Sequence, residues 1–228
     1  MTIQPLRLLV AMAVTALGGK FVAAQSTEPF TPEEREAVYT AAIERRSSAI
    51  VELLALNDAA KSNTLHGIIM AQYRALRARD EALDQMFKTL DRDAPGAATN
   101  RAIILPIVSK PLHDQFLAKL TAELTPQQVE LVKDKMTYHK VDVTYKAYAQ
   151  ILPDLSSEDK AMILAALKEA REEAMDGGSA DEKSAIFQKH KDQINARLSK
   201  KGFDVAKATR EWEARQEQEA TPATPSPK

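Results

Sequence analysis

The chain has 228 residues, 31 lysines and arginines against 32 aspartates and glutamates, and no cysteine. The missing thiols exclude disulfides, thiolate metal sites, cysteine nucleophiles and a lipoprotein anchor. The near balance of charge excludes the basic footprint of a nucleic-acid binder, so no nucleic-acid partner is expected.

The N-terminus reads as a cleavable export signal. Arg7 supplies a positive n-region, Leu8 to Leu17 an apolar run broken only by Thr15, and Val22 and Ala24 the small residues ahead of a cut before Gln25. A spanning helix takes ~20 apolar residues, so this run is too short to anchor the chain. The expectation is a signal peptide over 1–24, a single all-helical domain over 25–220 and a disordered tail over 221–228. The mature protein is then periplasmic or secreted, cut near Ala24, with no membrane anchor.

Between the glycines the chain is dominated by Ala, Leu, Glu, Lys, Gln and Arg, all good helix formers. No period-two run of β-branched residues appears. The expected fold is all-α, antiparallel helical hairpins packed as a multi-helix bundle. Thr31-Pro32-Glu33-Glu34 puts a hydroxyl at an N-cap and proline at the first helical position, and Tyr39, Ile43, Ile50 and Leu54 continue as one apolar stripe. Asn57-Asp58 breaks this helix and starts a second through Ile69, Tyr73, Leu76, Leu83, Phe87 and Leu90. Asp91 to Asn100, with Pro95-Gly96, is predicted as a loop.

Ala102 to Val108 carries Ile103, Ile104, Ile107 and Val108, but Pro106 sits where a sheet would exclude it. The expectation is a short helix that gives way to another at Pro111, with Leu112, Phe116, Leu120 and Leu124 on its buried face. Thr125-Pro126-Gln127-Gln128 repeats the capping device, and Leu124 and Val129 are placed as a hydrophobic staple. Met136 to Asp142 is predicted as a connection, followed by a short helix from about Val143 to Leu152. Ser156 starts a helix with Ile163, Leu167, Ala170 and Ala174 on one face, which Gly177-Gly178 stops. Ser179-Ala180-Asp181-Glu182 caps the next, carrying Phe187, Ile194 and Leu198 to Gly202. A last helix is expected from Val205 to Glu219.

With no cysteine present, the four histidines are the first place to look for chemistry. His66, His113 and His190 all fall at helical spacing from apolar residues, which reads as packing. No two histidines stand three or four residues apart, the spacing that zinc sites on helices use, so no metal and no cofactor are expected. Nucleophile elbows and phosphate-cradling glycine loops are absent, and no catalytic residue is selected. The densest mix of rings and ionisable groups is Tyr138, His139, Asp142, Tyr145, Lys146 and Tyr148, at a break between helices. A binding site is expected from Tyr138, His139, His113 and Tyr145. The competing reading packs Tyr145 with Tyr148 on one helix face and leaves His139 in solvent.

Leu112-His113-Asp114-Gln115-Phe116-Leu117-Ala118-Lys119-Leu120, Leu124-Thr125-Pro126-Gln127-Gln128, Met136-Thr137-Tyr138 and Val143-Thr144-Tyr145-Lys146-Ala147-Tyr148 resemble a secreted bacterial family, domain-of-unknown-function family 3826. Lys168 to Asp176 and Ile194-Asn195 fit the same resemblance, while His139-Lys140 and Asp142 depart from it. The family has no established activity, but its occurrence in bacteria that digest plant polysaccharides implies a role alongside glycan use. A narrower resemblance, Leu124-Thr125-Pro126-Gln127-Gln128 to the Leu-Thr-x-x-Gln signature of Spy and CpxP type periplasmic proteins, implies a helical chaperone. The expectation is an exported binding or accessory protein whose partner is a glycan or a protein. The alternatives are an enzyme acting on oligosaccharides and a periplasmic chaperone-like protein.

Overall fold

The computed structural model describes residues 30–89 and 97–220. The expected signal, the 221–228 tail, Leu90 and most of the loop from Asp91 lie outside the described residues. Among the described residues every regular element is an α-helix and no strand forms. The first four are α1 (Pro32–Leu53), α2 (Ala59–Thr89), α3 (Ala97–Glu123) and α4 (Pro126–Met136). The second four are α5 (Lys140–Ile151), α6 (Ser157–Met175), α7 (Ala180–Lys200) and α8 (Val205–Ala220). α1 packs on α2, α2 on α3, α5 on α6 and α6 on α7, so the architecture is the expected bundle of helical hairpins.

The capping residues act as the sequence implies. Thr31, Thr125 and Ser179 each accept the N–H of the third helical residue, and Glu34, Gln128 and Glu182 reach back to the cap. Ser156 does the same for the N–H of Asp159, and Asp58 takes the N–H of Lys61 at 3.0 Å to open α2. Each such cap is worth about 1 kcal/mol. The apolar stripes behind them are buried: Ile43 and Ile50 on α1, Ile69 and Leu76 on α2, Ile163 and Leu167 on α6, Ile194 and Leu198 on α7.

Three expected boundaries are corrected. Ala97 to Asn100 belong to α3 rather than to the loop, because Arg101 anchors this first turn to α2, 2.9 Å from Asp84 and over the Phe87 ring. α3 then runs unbroken through Pro106 and Pro111 instead of changing helix there. Each proline removes one i→i−4 hydrogen bond, freeing the carbonyls of Ala102 and Ile107. Both residues are solvent-exposed, so water can take those carbonyls while α3 stays packed along α2. The connection predicted over Met136 to Asp142 shrinks to Thr137–His139. It closes so tightly because Tyr138 and His139 adopt left-handed backbone, φ 58° and 54°.

The core has two centres. One gathers Ile50, Leu54, Leu65, Ile69, Phe116, Leu120 and the buried face of α4. The other gathers Val141, Tyr148, Leu152 and the facing stripes of α6 and α7, with Val205 of α8. α6 belongs to both. Ile163 to Ala174 lie in the second centre, and one residue on Met175 is buried in the first. Where α6 crosses, Arg171 is only 3% exposed and bonds Asp134 and Glu130 of α4 at 2.6 Å each. It also bonds Glu172 at 3.2 Å, and Lys133 closes the network 2.8 Å from Glu172. Burial alone would lower the Arg171 pKa, but hydrogen bonds to Asp134 and Glu130 reverse that and hold the guanidinium charged. Burial likewise works against Glu130, yet Arg171 and Lys133 keep its carboxyl below the usual range.

Removing Arg171 leaves three carboxylates facing one another across the seam. Breaking a fully buried pair costs about 3–5 kcal/mol, but these carboxylates are partly exposed and can rehydrate. Arg171→Met should therefore lose about 2–3 kcal/mol in urea unfolding, a figure scaled down from that range. Because Glu130 is depressed in the fold, this contribution should be present above its unfolded pKa and vanish as pH falls through the folded value. An unfolding free energy unchanged at neutral pH would show that the network holds nothing.

Candidate functional site

The larger cavity, about 600 Å³, opens at the seam between the two core centres. α2 contributes Arg79, α3 contributes Leu105, Pro106, Ser109, Lys110, His113 and Asp114, α6 contributes Glu172 and Glu173 with Asp176 just past its end, and α7 contributes Glu182, Ala185, Ile186 and Lys189. Leu105, Pro106, Ala185 and Ile186 give it an apolar wall. At its polar end His113 Nδ1 lies 3.2 Å from Asp176 Oδ2, and His113 Nε2 lies 3.8 Å from Glu172 Oε2. The hydrogen bond to Asp176 raises the His113 pKa above its ordinary value, helped by the Asp176 and Glu172 charges and opposed by burial and Lys133.

The other ionisable groups are also spoken for. Arg79 is buried and donates to Ser109 Oγ at 2.8 Å, Asp80 Oδ1 at 2.7 Å and the Asp176 carbonyl at 2.8 Å. Ser109 in turn donates to the Leu105 carbonyl at 2.6 Å, so its hydroxyl is committed at both ends. Burial pushes the Asp80 carboxyl up in spite of Arg79. A Cβ on Gly178 would collide with that carboxylate, so any other residue there requires the Asp80 side chain to move. Glu173 pairs with His190 at 2.9 Å and Lys189 at 3.0 Å, which outweigh burial and lower its pKa. Behind the cleft Lys183 is buried and donates to the Ala174 and Met175 carbonyls, sealing the end of α6. Burial lowers its pKa to about 8.

A second cavity, about 460 Å³, lies between α1 and the α4–α5 turn. Ala42, Arg45, Arg46 and Ala49 fall at i, i+3, i+4 and i+7, one face of α1, and the two alanines leave the groove open on either side of the arginines. Lys135, Tyr138 and His139 face them, Tyr73 closes one end, and Ile50 and Met136 form the floor. Left-handed backbone costs a non-glycine residue on the order of 1–3 kcal/mol. Two such residues in succession bring Tyr138, 44% exposed, and His139 to the groove.

The four predicted site residues do not converge on one place. His113 lines the cleft at the seam, and Tyr138 and His139 line the groove. Tyr145 packs against the second core centre, beside buried Tyr148, whose hydroxyl donates to Asn195 at 2.7 Å. His190 sits on the buried stripe of α7 as read, and His66 lies 3.2 Å from Glu44. Among the described residues no group of three or more histidines and carboxylates is placed to hold a metal ion, and no helix is long and apolar enough to cross a membrane. Sequence reading missed Arg79, Glu172 and Asp176. The available signal was Glu172 and Asp176 four apart on one helix face, just before a glycine stop. Arg45-Arg46 between Ala42 and Ala49 was the corresponding signal for the groove.

The family described as "Protein of unknown function (DUF3826)" matches residues 40–217, well over half of the chain. The chain belongs to the DUF3826 family. The match spans α1 to α8 and includes every residue of both cavities. No curated protein matches the chain. The resemblance to Spy and CpxP type proteins finds no support, and its five residues are accounted for by the Thr125–Gln128 capping box.

The His113–Asp176 pair makes stability depend on pH with a definite sign. A histidine whose pKa is raised on folding contributes fully below its unfolded value, about 6.5, and loses that contribution as pH rises through the folded value. His113→Gln should thus be less stable than the wild type at pH 5.5 and approach it by pH 8.5, in chemical denaturation. A difference that stays constant with pH would separate His113 from the carboxylates.

Proposed function

We propose that this member of DUF3826 is an exported accessory protein that binds a neutral, hydroxyl-rich ligand in the seam cleft without transforming it. One observation carries the reading: each cation lining the cleft is already matched by a carboxylate. His113 is matched by Asp176 and Glu172, Glu173 by Lys189 and His190, Lys110 by Asp114, and Arg79 by Asp80. An anionic ligand would have to break such pairs, whereas a neutral ligand offers hydroxyls to the spare lone pairs of the carboxylates. Its apolar face can lie on Leu105, Pro106 and Ile186.

A volume of about 600 Å³ lies within the ordinary range for small-ligand sites, ~300–1,000 Å³. Ser109, the hydroxyl nearest to a nucleophile's position, is held by Arg79 and the Leu105 carbonyl rather than by a base. This favours binding over catalysis. The family's occurrence in bacteria that digest plant polysaccharides supports plant-derived oligosaccharide as the ligand class, and the expected N-terminal signal supports a place outside the cytoplasm.

Calorimetric titration with a panel of neutral plant oligosaccharides tests the reading. At least one should bind the wild type, and chromatography should recover it intact. Ala185→Trp fills the cleft from an exposed position, and should abolish binding while leaving the melting temperature within about 2 °C. Binding that survives Ala185→Trp would move the site elsewhere. Recovery of shortened saccharide would replace the binder by an enzyme.

A further inference from the structure

The groove between α1 and the α4–α5 turn has the opposite electrostatic character to the seam cleft. Its lining holds Arg45, Arg46, Lys135 and His139 and not one carboxylate. Among the described residues, Arg45, Arg46 and Lys135 pair with no acid, although Arg74, Arg77, Arg79, Arg101 and Arg171 all do. Three uncompensated cations around a concave surface of about 460 Å³ raise a positive potential that the low-dielectric floor of Ile50 and Met136 focuses. Solvated faces elsewhere on this molecule are laced with pairs such as Arg77–Glu81 and Lys146–Asp142. The groove lacks them.

Two tyrosines add a second element. The Tyr138 ring is part exposed at the groove, held there by the consecutive left-handed residues Tyr138 and His139. Tyr73 closes the groove, and neither its hydroxyl nor that of Tyr138 bonds any described residue. Tyr39 bonds the Tyr73 carbonyl at 2.7 Å, which fixes α2 against α1 and so fixes the end wall. Arginines offer planar forks to carboxylate, sulfate or phosphate, and rings with free hydroxyls suit the face and the hydroxyls of a sugar. We infer that this groove is a second binding site, for a saccharide that carries a carboxylate, sulfate or phosphate group. Arg45 and Arg46 hold the anion, Lys135 and His139 flank it, and the ring stacks on Tyr138. This inference stands apart from the reading of the seam cleft.

Calorimetry on the full chain tests it with trigalacturonate, a sulfated disaccharide and a hexose phosphate, beside a neutral trisaccharide and inorganic phosphate. At least one charged saccharide should bind, more weakly as salt approaches about 0.15 M, and the arm that binds identifies the charged group. The exposed double variant Arg45→Gln/Arg46→Gln should weaken that binding about tenfold or more, the worth of one charge-assisted hydrogen bond. Tyr138→Ala should weaken the saccharide and leave inorganic phosphate unchanged, and Ala185→Trp in the other cavity should change neither. The inference is overturned by any of four results. These are no charged saccharide bound, equal binding of the neutral trisaccharide, inorganic phosphate bound as tightly as the saccharide, or indifference to the double arginine variant.

Discussion

A charged guanidinium buried at 3% exposure holds this molecule together across its middle. Arg171 projects from α6 into three carboxylates, two of them on α4, and so ties the first four helices to the last four. Burying a cation is costly unless partners surround it, and here the Asp134, Glu130 and Glu172 carboxylates do so where α6 crosses α4. The same crossing puts Met175 into the first core centre and Asp176 beside His113. The cleft is therefore a consequence of the seam. Arg79 reinforces it from α2 by capping the end of α6 through the Asp176 carbonyl.

Local signals made the helices legible. Thr31, Thr125, Ser156 and Ser179 mark starts because a hydroxyl that takes an orphan N–H leaves the same sequence trace wherever it occurs. Stripes such as Ile163, Leu167, Ala170 and Ala174 mark buried faces because 3.6 residues per turn fixes their spacing. Pro106 and Pro111 misled because their cost in an isolated helix is real, but packing along α2 outweighs it. The break around Tyr138-His139 was legible but its tightness was not, since two non-glycine residues in left-handed backbone carry no sequence mark. Half of the site was invisible for another reason. His113 meets Asp176 across 63 residues of chain and Arg171 meets Glu130 across 41, and no periodicity reports such pairs.

The two cavities differ in what their charges leave undone. In the seam cleft each cation has its anion, which favours a neutral guest and keeps His113 protonated toward higher pH. In the groove the cations stand without anions, on a helix face whose flanking residues are alanines. On the proposed readings, two sites of opposite demand on one bundle would let the protein hold neutral and acidic saccharides alike. The left-handed backbone at Tyr138 and His139 closes the α4–α5 turn, where the His139 N–H bonds the Asp134 carbonyl at 2.8 Å, and leaves both side chains exposed at the groove.

α6, shared by both core centres, makes them one cooperative unit. Native-state hydrogen exchange in increasing denaturant measures this directly. Amides around Ile43 and Ile50 in α1, and around Ile194 and Leu198 in α7, should converge on a common opening free energy with the same denaturant dependence. If the helices after α4 open well below those before it, the two centres are independent and the seam is a contact rather than the constraint that builds the site.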